Sequence, residues 1–164
     1  MKYPFSTRGA AWRSLTILLA FFLIAGNCLA QTITVNNDLN FGDMFPGVPK
    51  TVAKTTPGAA AEYHISGTAG SEISIDITLP KYMSTTGANM QLVFTKTDCA
   101  MDSSASPDQT NPGSNNLDPW HTITYRLGSN GLTIWLGGMA IPNLNQKQGS
   151  YSAVVVITVA YTGN

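Results

Sequence analysis

Apolar and polar residues alternate one for one in two long stretches of the chain. In Ser71-Glu-Ile-Ser-Ile-Asp-Ile-Thr-Leu79 the residues Ile73, Ile75, Ile77 and Leu79 alternate with Glu72, Ser74, Asp76 and Thr78, and Pro80 closes the run. Period two with one wet face predicts a half-buried strand. The segment from Tyr151 to Tyr161 repeats the pattern, with Tyr151, Ala153, Val155, Ile157, Val159 and Tyr161 on one face. Its other face is apolar at Val154 and Val156, and a strand apolar on both faces is covered on two sides. The pattern therefore calls for a second cover over Val154 and Val156, from this chain or another.

Shorter alternations fill the interval between them. Ala61, Tyr63 and Ile65 share a face, as do Leu92 and Phe94, then Ile123, Tyr125 and Leu127, then Leu132, Ile134 and Leu136. Gly128-Ser-Asn-Gly131 reads as a hairpin turn between the last two, because Asn-Gly accepts positive φ angles. Near the start, Ile33, Val35, Leu39 and Phe41 keep one parity, interrupted by Asn37. Residues 98–118, rich in Ser, Asp, Asn and Pro, are expected to be a long loop rather than strand, and such loops are usually functional or disordered. The sum is about eight strands punctuated by Gly, Pro and Asn, which predicts an all-β, antiparallel, immunoglobulin-like sandwich.

The first 30 residues follow a different rule. Lys2, Arg8 and Arg13 precede the apolar run Leu15–Ala25, and small residues stand at Cys28 and Ala30. That order predicts a secretory signal peptide cleaved between Ala30 and Gln31. Its apolar core is shorter than the ~20 residues that span a bilayer, so no stable membrane anchor is expected after cleavage. Residues 31–164 then form one domain, exported to the periplasm, cell surface or medium.

Charge and cysteine content narrow the chemistry. Past residue 30 the chain carries six basic and nine acidic residues, a net −3, so it offers no basic surface for a row of phosphates and nucleic acid is not an expected partner. Cys99 is the one cysteine left, which excludes an intrachain disulfide. A blue-copper site would place a second His close to the Cys and Met. Here His64 and His121 both lie far from Cys99 and Met101, and His64, alternating with core residues, should face water. The acids Asp102, Asp108 and Asp118 with Asn111, Asn115 and Asn116 are oxygen donors suited to Ca²⁺, but their spacing is not that of an EF-hand. No nucleophile–base or phosphate-cradling motif occurs. No enzyme activity, cofactor or metal is expected. Trp120 and Trp135 are candidate recognition aromatics. Trp135, on the parity opposite Leu132, Ile134 and Leu136, belongs to the outer face, where it either meets a sugar or protein or, the favoured reading, covers an edge or packs under the long loop.

Two segments carry a resemblance. Leu39-Asn-Phe-Gly-Asp-Met-Phe-Pro-Gly47 and Leu136-Gly-Gly-Met-Ala-Ile-Pro-Asn-Leu-Asn-Gln146, with Gly149–Tyr161 after them and Gly67–Pro80 between, resemble the bacterial exported-protein family called domain of unknown function 4402. The resemblance implies a secreted β-sandwich. The ending is also similar to chaperone–usher pilins and spore-coat-like pilus proteins, in which a Gly stands twelve residues before a near-terminal Tyr, as Gly149 stands before Tyr161. That likeness implies a pilin-like sandwich completed by a neighbour's strand. Unlike those pilins, this chain continues past the tyrosine and lacks the subunit disulfide. Together these readings predict a cell-surface or pilus-like structural or adhesion subunit that makes protein–protein contacts. The expected surface for strand addition or partner binding is Ile33, Val35, Val154, Val156 and Tyr161. A self-contained module binding carbohydrate, matrix or protein is the alternative.

Overall fold

The computed structural model describes residues 31–164, so the expected leader and its Ala30 cleavage position lie outside the described residues. Among the described residues there is no helix, and the strands are β1 (Thr32–Asn37), β2 (Lys50–Val52), β3 (Ala61–Ser66), β4 (Glu72–Thr78), β5 (Tyr82–Thr85), β6 (Ala88–Val93), β7 (Cys99–Asp102), β8 (Ser114–Leu117), β9 (Ile123–Arg126), β10 (Leu132–Leu136), β11 (Gly138–Ile141) and β12 (Val156–Tyr161). They form three antiparallel sheets, ordered β1-β3-β10-β7-β8, β2-β11-β6-β5 and β12-β4-β9. This is the all-β, sandwich-type architecture that the alternating pattern predicts.

The third sheet is built on β4, whose Ile73, Ile75 and Ile77 are buried. They share one core cluster with Ile65, Leu132, Ile134 and Leu136 of the first sheet, which are fully buried. The second sheet continues the other two. Gly137 separates β10 from β11, and a Cβ there would sit 2.6 Å from both Lys54 N and Val52 O, so only Gly lets the chain turn past β2. Pro80 likewise separates β4 from β5.

Four expectations are corrected. The strands number twelve rather than eight, because β2, β5 and β11 are too short to show a period. The segment 98–118 is not all loop: β7 and β8 pair antiparallel, and every residue of β7 is buried. Gly128 and Gly131 do exchange backbone hydrogen bonds of 3.0 and 3.1 Å, yet β9 and β10 lie in different sheets, so the turn carries the chain from one sheet to another. Positive φ falls on Gly131 (87°) and not on Asn130. The last strand is shorter than its pattern: regular pairing covers Val156–Tyr161, preceded by one isolated bridge between Ser152 and Ser84.

Trp135 takes the packed place of the two expected for it. It is buried, with Nε1 donating to Glu62 Oε2 at 3.1 Å. Every residue of β10 is buried on both faces. Over its outer face, residues 103–113 are pinned at both ends. Asn130 Nδ2 donates to Ala105 O at 3.0 Å, and Gln109 Nε2 donates to Lys54 O at 2.8 Å. His64, on the same face, is half-buried, with Nδ1 3.3 Å from Thr133 Oγ1, rather than open to water.

Candidate interaction surface

The five residues expected to meet a partner fall on two edge strands. β1 pairs only with β3, and β12 only with β4. Ile33 stands opposite Ile65, and Val35 opposite Tyr63. Directly opposed residues share a face, so Ile33 and Val35 point to the core side of their sheet, yet they are 40% and 58% exposed. β12 turns Ile157 and Val159 inward, opposite Ile77 and Ile75, and these pack half-buried against the core. The flank between the two edges is apolar and uncovered.

Among the described residues the backbone of β12 has no strand partner along the same flank. Thr162 N donates to Glu72 O at 3.1 Å, which fixes the parity of the ladder. Val156, Thr158 and Ala160 therefore bond to β4, and the N–H and C=O groups of Ile157, Val159 and Tyr161 point to the open edge. Gln31 agrees with this parity. Its Nε2 donates to the carbonyl of Val159 and stitches the start of β1 to β12. Gln31 Oε1 is buried with no partner among the described residues. The sequence marks Gln31 only as the residue after the expected cleavage; its bond to β12 is shown by the structure alone.

Val154 and Val156 lie on the opposite, outward face and are 77% and 49% exposed. Among the described residues nothing covers them, so the cover that their apolar character calls for is not supplied by residues 31–164. Tyr161 serves the fold: its Oη accepts a hydrogen bond from Thr68 N at 2.9 Å and lies where a Cβ on Gly67 would be.

Away from the stitch, the segments after β1 and before β12 separate around a cavity of about 880 Å³, with Phe41, Met44, Phe45, Met83, Met90 and Tyr151 in its wall. Phe45 in this wall is exposed, and Gly47 N donates to Asn143 O at 3.0 Å, tying the loop after β1 to the loop after β11. The cavity was not foreseen. Its signal lay in Leu39–Gly47 and Leu136–Gln146, two motifs far apart in sequence that meet here.

The remaining candidate groups have structural duties. Cys99 is fully buried in the core, and burial, only partly opposed by the Lys54 charge, pushes its thiol up to about 12. A protonated, enclosed thiol is a poor nucleophile. Asp102 organises the loop that covers β10: Ser104 N donates to Oδ1 at 2.8 Å and Asp108 N to Oδ2 at 3.2 Å. Burial works against its charge, but these donors and Gly113 N outweigh it and hold the carboxyl below its ordinary value. Asp108 accepts from Thr110 and Asn111, and Asp118 from Trp120 N and His121. These acids close local turns. Among the described residues no three His, Cys, Asp or Glu side chains are grouped to hold a metal ion. Trp120 is 46% exposed, and its Nε1 donates to Phe94 O at 3.0 Å.

An all-β domain with an edge strand that has no second partner among the described residues is the class these features define. The chain belongs to the family described as domain of unknown function (DUF4402), whose family model matches residues 47–161. No curated protein matches it significantly.

Proposed function

We propose that this protein is an exported, non-catalytic structural or adhesion subunit of a cell-surface or pilus-like assembly, joined to its neighbours by strand addition along β12. The observation that carries the reading is the free edge of β12. Its outward N–H and C=O groups at Ile157, Val159 and Tyr161, of which the Val159 carbonyl is taken by Gln31, stand beside the half-buried Ile157 and Val159, and Ile33 and Val35 are exposed on β1. An extended segment laid there satisfies the backbone row and fills the apolar gap at once, which is the physics of β-augmentation. The pairing of β1 with β3 inside its own sheet favours the second reading, a self-contained exported binding module.

Proline separates the two. Val159→Pro removes an N–H that points to the open edge, where the fold tolerates its loss. Thr158→Pro removes one that bonds to β4. Light scattering across a concentration series should show wild-type protein self-associating and Val159→Pro monomeric with near-native thermal stability, while Thr158→Pro loses stability. A wild-type chain monomeric at every concentration, or a Val159→Pro protein that associates like wild type, sinks the assembly reading.

A further inference from the structure

The cavity beyond the stitch gathers sulfur. Past residue 30 the chain has five methionines, Met44, Met83, Met90, Met101 and Met139, and Met44, Met83 and Met90 line this one cavity. Met83 and Met90 are direct cross-strand partners in β5 and β6, and both are buried. Opposed Cβ atoms in an antiparallel pair lie ~4.5–5.5 Å apart, close enough for two flexible thioethers to converge on one point. Met44, half-buried, approaches from the segment that follows β1.

Three polar side chains of the wall, Gln146, Lys147 and Tyr151, are engaged with one another or with backbone. Gln146 Nε2 donates to Asn89 O at 3.1 Å and to Tyr151 Oη at 2.6 Å, and Tyr151 Oη donates to Lys147 O at 2.7 Å. Lys147 Nζ donates to Thr86 O at 2.8 Å. Asp43 is the one carboxylate on the wall. Neutral sulfur is supplied from two parts of the wall, by the β5–β6 pair and by the segment after β1. Thioethers are soft ligands that select Cu(I) and hold Ca²⁺ or Mg²⁺ poorly. A monovalent ion also requires less opposing charge than a divalent one.

We propose that Met44, Met83 and Met90 form a binding site for a soft monovalent cation, Cu(I), for which redox-inert Ag(I) substitutes. The ion is bound and released as such, and no electron transfer is involved. The site stands on the methionine arrangement alone and does not depend on strand addition.

The test uses protein labelled at the methionine methyl carbons. One equivalent of Ag(I), added to a Cys99→Ala background that removes the other soft group, should shift the methyl signals of Met44, Met83 and Met90 and leave Met101 and Met139 in place. Under anaerobic reducing conditions wild-type protein should withdraw Cu(I) from a colorimetric chelator. Met→Leu nearly conserves volume, so Met44→Leu, Met83→Leu and Met90→Leu should keep native circular dichroism while each weakens Cu(I) binding at least tenfold. Met139→Leu should bind as wild type. Methionines that only pack predict no uptake and no shifts, and that result overturns the proposal. It is equally overturned if the three Leu variants bind normally, or if Asp43→Asn abolishes binding while they retain it.

Discussion

β10 and β12 are written in nearly the same alphabet and end in opposite environments. Each has apolar residues on both faces: Leu132, Ile134 and Leu136 against Trp135 in one, Ile157 and Val159 against Val156 in the other. In β10 every residue is buried, since strands pair on both sides and the 103–113 loop is pinned across the outer face. In β12 the inward residues are half-buried and the outward ones exposed, since only β4 pairs with it. Apolar character on two faces states a demand for cover. Whether the chain meets that demand depends on which strands lie beside it, and that is a property of topology.

A charge at the centre of each strand should reveal the contrast most strongly. Ile134 is fully buried, and an aspartate there is an unpaired interior ion costing several kcal/mol, against a typical total stability of ~5–15. Ile134→Asp should yield no soluble folded protein. Ile157→Asp sits at a half-open edge, where water can reach the carboxylate, so it should fold with a clearly lowered melting temperature. Equal behaviour of the two in circular dichroism melts would show that the β12 flank is closed.

The loop over β10 is the next point to break. Trp135→Ala removes a buried indole and its hydrogen bond to Glu62, and large-to-small changes of this kind cost ~3–5 kcal/mol. Hydrogen exchange should show amides 103–113 losing protection along with β10. If the loop stays protected, something other than Trp135 anchors it.

The sequence showed that outcome only in part. Ile73–Leu79 was legible because one dry face and one wet face leave a period of two. β7 was not legible: Cys99-Ala-Met-Asp is buried throughout, so it has no wet face to alternate with, and the polar run after it made the whole segment look like loop. Trp135 was left between two places for a related reason. Its parity does point it away from the central core, but parity says nothing about a loop that folds back over the outer face. At the candidate surface, the faces of Ile157 and Val156 follow from alternation, whereas the free backbone of β12 and the place of Gln31 required knowing which strand pairs with which.

Acid should loosen the same loop through Asp102. Its carboxyl is held below the ordinary value in the folded protein, so the unfolded chain binds a proton more readily. The stability it contributes is complete above the unfolded carboxylate value of ~4 and fades as pH falls through the lowered folded value. Asp102→Asn should cost ~1–3 kcal/mol at neutral pH, by leaving N–H donors poorly matched, and should flatten the acid limb of the stability profile below pH ~4. An acid limb identical in variant and wild type would mean that other carboxylates govern it.

The smallest effect on the monomer should come from Val156→Asp, and it carries the most information about partners. Val156 is 49% exposed, on the outward face opposite Thr78 and beside Thr158. A carboxylate there stays hydrated, so the melting temperature of the isolated monomer should change little, within the ~0.5 kcal/mol usual for surface substitutions. An interface is different. If another chain lies over Val154 and Val156, the same carboxylate must be stripped of water without a counter-charge, and association should fail while the monomer's circular dichroism stays native. Light scattering and thermal melts on one sample therefore read two separate quantities. Lost oligomer with a native melt assigns the outward face of β12 to a partner. Unchanged oligomer with a native melt confines assembly to the edge and its apolar flank. A melt depressed by several kcal/mol would contradict the exposure of Val156 and show that this face, like the outer face of β10, is covered from within the chain.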